Sequence, residues 1–159
     1  MIAVGETAPD FALKDSDNHE ISLKSLRGKF VLLLFYPRDN SMICTMQMCQ
    51  YRDNWNAIAQ IGIEVLAINP ASAEKHKSFK EGKDLPFPVL SDADSQVAEK
   101  YDARNIFGMT KRAYVLIAPD GKIVYSHNEI IASFYTSVED LAAIVKKHVE
   151  LFKPYKVSF

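Results

Sequence analysis

Cys44 and Cys49 are the only two cysteines in the chain. They stand five positions apart in YPRDNSMICTMQMC, residues 36–49. Such a pair could bridge, hold a metal, fill a core or do redox chemistry. A structural zinc site wants four ligands, commonly in close-spaced pairs. The four histidines (His19, His76, His127, His148) are far apart in sequence, so no metal is expected. If both cysteines are helical, five positions give a rise of about 7.5 Å and a rotation of about 140°, and roughly 8–9 Å between Cα atoms. A disulfide needs less than about 7 Å. A folded helix and a Cys44–Cys49 bond therefore exclude one another, which suits a switch better than a staple. Two buried thiols remain a competing reading, because free cysteine is often buried.

The residues before Cys44 bear on the choice. Pro37 follows an apolar run and cannot continue a helix. Ser41 places a hydroxyl three residues upstream of Cys44. The spacing puts Cys44 at or near the first turn of a helix, where unpaired N–H groups and the helix dipole favour thiolate over thiol. Pro37 could equally be punctuation after a strand, and Ser41 a helix cap.

The surrounding elements must place this loop. KFVLLLFY (Lys29–Tyr36) and IEVLAIN (Ile63–Asn69) are continuous apolar runs of strand length, expected to be buried on both faces. RAYVLIAPDGKIVYS predicts two strands around Asp120-Gly121. DFALKD and HEISLKSL predict a short antiparallel pair near the N-terminus. From Cys44 onward, Met48, Tyr51, Trp55 and Ile58 trace one helical face to about Gln60. Further helices are expected over Ser72–Gly82, ending on the glycine, over Asp94–Tyr101, and over Ser137–Phe152. Ser137 with Asp140 resembles a capping box, and Val138, Leu141, Val145 and Val149 form a stripe. The order β-β-β-α-β-α-β-α-β-β-α predicts an α/β fold, a mixed central sheet with helices on both faces and an N-terminal hairpin. The loop bearing Cys44 then leaves the C-terminal end of a central strand, where open α/β sheets build their sites.

Composition narrows the rest. A chain of 159 residues is expected to form one domain, spanning 1–159. The net charge of −1 and the scattered lysines offer nothing to nucleic acid. No apolar run approaches the roughly 20 residues of a membrane span. MIAVGETAPDF lacks the pattern of a signal peptide, so a cytoplasmic protein is expected. In a reducing compartment a cysteine pair is more often reduced or catalytic than permanently bridged.

Pro37, Ser41 and Cys44 together match Pro-x-x-x-(Thr/Ser)-x-x-Cys at a strand–loop–helix junction, and the chain resembles the peroxiredoxins there. It is similar in particular to the Q-type subfamily, the bacterioferritin comigratory proteins, in which a second cysteine follows five residues later, here Cys49. The similarity extends through VGETAPDFALKDSDNHEISLKSLRGKFVLLLFYPRDN, LPFPVLSD (Leu85–Asp92) and KRAYVLIAPDGKI (Lys111–Ile123). It departs at Ser41-Met42-Ile43-Cys44, where the family usually has Thr-Pro-Gly-Cys. Serine keeps the hydroxyl, and Met42-Ile43 replaces a rigid Pro-Gly with bulk.

The resemblance implies a thioredoxin-like fold and a thiol-dependent peroxidase. It implies that Cys44 attacks a peroxide and becomes sulfenic acid, and that Cys49 then resolves it as an intramolecular disulfide. Arg112 would stabilise the thiolate and polarise the peroxide. Ser41 Oγ and the Cys44 N–H would align the peroxide oxygens, Pro37 would shield the sulfur, and Gln47 would orient Arg112. Hydrogen peroxide and alkyl hydroperoxides are the implied substrates, and thioredoxin or a similar dithiol the reductant. The resemblance implies no cofactor, and a monomer rather than a dimer. Two other functions compete. A thioredoxin-type oxidoreductase would share the fold, but its usual motif is C-x-x-C. A redox sensor would share the chemistry at Cys44 and use it to recruit a partner.

Overall fold

In the computed structural model, residues 2–39, 41–129 and 135–152 are described. Met1 and 153–159, the ends of the expected span, lie outside them. Seven strands are defined among these residues: β1 (Ala12–Lys14), β2 (Glu20–Ser22), β3 (Val31–Phe35), β4 (Glu64–Asn69), β5 (Val89–Ser91), β6 (Ala113–Ile117) and β7 (Ile123–Asn128). They join one sheet in the order β2-β1-β5-β4-β3-β6-β7. The pairings β3–β4 and β4–β5 are parallel, and the others are antiparallel. The sheet is thus mixed, with the N-terminal β1–β2 pair at one edge.

The apolar runs occupy the centre. All five residues of β3 and all five of β6 are buried. Because side chains alternate across a strand, each run feeds two cores. Leu32, Leu34 and Tyr36 join Tyr114 and Leu116 on one face, and Val31, Leu33 and Phe35 join Val115 and Ile117 on the other. The first face is covered by α1 (Met42–Asp53), α2 (Asn56–Ala59), α3 (Ala73–Lys83) and α5 (Val138–Phe152). The second is covered by α4 (Gln96–Lys100) together with Ile2, Ala8 and Phe11. In α5 the stripe Val138, Leu141, Val145 and Val149 is buried, and the Asp140 N–H donates to Ser137 Oγ at 3.1 Å.

Three helices differ from the sequence expectation. The one expected over Asp94–Tyr101 spans only Gln96–Lys100, because Asp94 and Ser95 take left-handed φ of 62° and 54°. The segment expected to run unbroken from Cys44 to about Gln60 begins at Met42 and divides after Asp53. Asn54 is its C-cap: with φ −114° and ψ 23° it leaves the helical conformation, and its side-chain Nδ2 adds a local bond to the Gln50 carbonyl of the kind that competes with helix continuation. The helix beginning after Ser72 does not stop at Gly82. It continues to Lys83 and ends at Asp84, whose left-handed φ of 53° is one that Asp tolerates. The Arg52 Nη1 donates to the freed Lys83 carbonyl at 2.7 Å, tying the ends of α1 and α3 together.

Register brings distant residues to one place. Phe35 pairs with Ala113, so Tyr36 and Arg112, one step beyond each, emerge at the same end of the sheet. Arg112 shares its parity with Tyr114, whose face α1 covers. The strand pairing therefore brings a cation, from the residue just before β6, to the first turn of α1.

Candidate active site

The site starts with the capping of α1. Ser41 is the N-cap, in an extended conformation (φ −73°, ψ 152°), and its Oγ accepts from the Cys44 N–H at 3.1 Å. Cys44 is therefore the third helical residue. No acidic residue stands in the first turn, so nothing there neutralises the positive end of the dipole. The Cys44 thiol is almost fully buried, 1% exposed.

Arg112, one residue before β6, completes the site. Its Nη2 donates to Cys44 Sγ at 3.3 Å, and its Nη1 donates a short hydrogen bond to Gln47 Oε1. Arg112 is 3% exposed. Among the described residues it makes no ion pair, and its Nε has no partner. A buried guanidinium without a carboxylate is costly unless an anion sits beside it. Arg112 Nη2 lies against Cys44 Sγ.

Gln47 lies one turn after Cys44 on the same helical face and is itself buried. Its Nε2 donates to Tyr114 Oη at 3.3 Å, and that oxygen also accepts from the Thr136 N–H at 2.9 Å. Tyr51, a further turn along α1, donates to the Thr136 carbonyl at 2.7 Å. Burial pushes the Tyr114 hydroxyl up to about 12 and raises the Tyr51 hydroxyl further. Both remain hydrogen-bond donors at neutral pH. Arg112 Nη1, Gln47, Tyr114 Oη and the Thr136 backbone are thus joined by consecutive hydrogen bonds.

A cavity of about 430 Å³ opens onto Cys44 and Arg112. Pro37, Ser41, Met42, Ile43, Met109 and Glu129 are among its lining residues. Met42 is 78% exposed. Met42-Ile43, the departure from Pro-Gly, therefore sits on the approach to the thiol.

All six residues singled out in the sequence are accounted for by position. Cys44, Arg112, Ser41 and Gln47 are linked by hydrogen bonds, and Pro37 shares their cavity. Cys49 lies apart, half-buried on another side of α1, and both cysteines are free thiols. Tyr114 and Thr136 were not singled out. The only available signal was an aromatic residue on the Arg112 side of a predicted strand. Among the described residues, no group of three or more His, Cys, Asp or Glu could hold a metal, and no helix is long and apolar enough to cross a membrane.

The architecture is the thioredoxin-like fold of the peroxiredoxins. The crystal structure of peroxidoxin BcpB from Mycobacterium tuberculosis matches it with a TM-score of 0.79 at 26% identity, covering 95% of this chain and 98% of that one. Residues 4–126 match the AhpC/TSA family, and the chain belongs to it. It is 40% identical over 129 residues to a putative peroxiredoxin bcp of Coxiella burnetii, covering 77% of this chain and 85% of the relative. It is 33% identical over 130 residues to peroxiredoxin Bcp of Bacillus subtilis, covering 77% and 83%. The protein is therefore a thiol-dependent peroxidase, an oxidoreductase of the Bcp and peroxiredoxin Q group.

Proposed function

We propose that Cys44 is the attacking thiol and Cys49 the resolving one, in a cycle that reduces hydrogen peroxide and alkyl hydroperoxides. One observation carries this reading: Arg112 Nη2 lies 3.3 Å from Cys44 Sγ with both residues buried. The Cys44 thiolate displaces ROH (or water) across the O–O bond, and the sulfur keeps the other oxygen as sulfenic acid. Arg112 stabilises the thiolate before attack and the charge on the departing oxygen during it. Ser41 Oγ accepts from the Cys44 N–H, and its hydroxyl, which lines the same cavity as Cys44, donates to the peroxide. Pro37 keeps bulk water from the sulfur. Gln47 fixes the guanidinium plane.

The Cys49 thiol then attacks the Cys44 sulfenic acid, forming the disulfide and releasing water. Both residues lie within α1, five positions apart, so the first turn must unwind for the sulfurs to meet. The cycle closes within one chain and needs no second subunit. A thioredoxin-like dithiol returns the pair to thiols by exchange, which fits a cytoplasmic setting.

Peroxide turnover with thioredoxin and its reductase tests the reading. The wild type should consume peroxide continuously, and Cys44→Ser should do nothing. Full turnover by Cys44→Ser would remove Cys44 from the role.

A further inference from the structure

A second buried polar cluster lies directly before the α1 cap. The Asp39 carboxylate, 4% exposed, accepts three hydrogen bonds. Oδ1 takes the Tyr36 hydroxyl at 2.5 Å and Asn69 Nδ2 at 2.9 Å, and Oδ2 takes His76 Nδ1 at 2.7 Å. Tyr36, Asn69 and His76 are each fully buried. They come from three places: the residue after β3, the end of β4 and the first turn of α3. His76 has no other side-chain partner, because its Nε2 is buried and unpaired among the described residues. Burial first, and Asp39 next, hold the Tyr36 hydroxyl well above the usual tyrosine range, so it remains a donor.

None of these groups reacts in the cycle described above, yet the cluster grips the segment that carries Pro37 and the Ser41 cap. A carboxylate with three buried donors is strongly localised, since ionic hydrogen bonds are stronger than neutral ones. We propose that Asp39 is a positioning residue for Cys44: it clamps the loop between β3 and α1 to β4 and α3, and so favours the peroxide-reactive helix over the unwound form that makes the disulfide. This rests on the reading of Cys44 and Cys49 given above. The clamp acts in opposite senses on the two steps. It holds Cys44 Sγ against Arg112 for attack on the peroxide, and it resists the unwinding that lets Cys49 reach the sulfenic acid. Loosening it should slow the first step and speed the second. It should also shorten the life of the sulfenic acid, and so reduce further oxidation to sulfinic acid.

Asp39→Asn and Tyr36→Phe test this by rapid-quench mass spectrometry. Tyr36→Phe removes one hydroxyl and keeps the ring against Phe79, so it serves if Asp39→Asn fails to fold. Each change is made in two backgrounds. With Cys49→Ser, trapping by dimedone gives the rate of Cys44 oxidation by hydrogen peroxide. With both cysteines present, the rate of disulfide closure follows oxidation. Oxidation is expected to slow about tenfold and closure to accelerate by a similar factor, the scale of one ionic hydrogen bond. Any other combination, including both rates falling together with the melting temperature, overturns the proposal. If the Cys49→Ser parent itself forms no Cys44 adduct, the assignment of Cys44 falls and the role of Asp39 falls with it. If the parent reacts and the variants do not split the two rates, only the role of Asp39 falls.

Discussion

Arg112 bonds Gln47 through one terminal nitrogen and Cys44 through the other, so the guanidinium that faces the thiol is held in plane from behind. This two-handed contact needs the fork of an arginine. Lysine would carry the charge but could not serve both partners. Arg112→Lys is therefore expected to lower kcat/KM for peroxide by about a hundredfold, even with charge retained. Steady-state kinetics at neutral pH would measure it, and a loss below threefold would mean that charge alone suffices.

Gln47 reaches beyond the site to Tyr114. Gln47→Ala frees the guanidinium to rotate and leaves Arg112 Nη1 buried and unpaired. It should destabilise the protein by about 1–3 kcal/mol through that orphaned donor. The rate of Cys44 oxidation should fall as well, while the rate of disulfide closure is preserved. Chemical denaturation and rapid-quench oxidation read the two effects separately.

Ser41→Ala removes the acceptor of the Cys44 N–H. Loss of such a cap costs about 1 kcal/mol of stability. If Ser41 also donates to the peroxide, catalysis should fall further than the loss of helix stability explains. Ser41→Asn, which caps equally well without a hydroxyl, separates the two: stability returns and the rate does not.

Tyr114 gives a test at alkaline pH. Its hydroxyl is pushed up to about 12, chiefly by burial. A tyrosine in the unfolded chain ionises near about 10. Between those values the unfolded state binds fewer protons than the folded one, so stability falls as pH rises. The contribution is complete below about pH 10 and is lost as pH rises through the folded value. Tyr114→Phe should flatten part of that alkaline slope in denaturation curves, and it should also loosen Gln47.

Much of the fold was legible because the central strands are continuous apolar runs. Lys29–Tyr36 and Ile63–Asn69 bracket β3 and β4 within two residues, and Asp120-Gly121 marks the turn between β6 and β7. Helix ends were less legible where a side chain decided them. At Asn54 the backbone leaves the helical conformation while the side chain bonds the Gln50 carbonyl, and Asp84 rather than Gly82 ends α3. The site was legible only in part. Cys44, Cys49 and Ser41 stand close together in sequence, but Arg112 is 68 positions from Cys44 and was placed through resemblance. Tyr114 reaches Gln47 across 67 positions, and His76 reaches Asp39 across 37. Such pairs carry no local spacing signal, because strand register and helix docking create them.

The most direct measurement is the intact mass of the reduced protein after one equivalent of hydrogen peroxide, followed by peptide mapping. The wild type should lose the mass of its two thiol hydrogens, with Cys44 joined to Cys49. The Cys49→Ser variant should instead gain one oxygen on Cys44, and Cys44→Ser should be unchanged. A wild-type protein that keeps both thiols free, or a Cys44→Ser variant whose Cys49 is oxidised as fast as wild-type Cys44, would contradict the assignment.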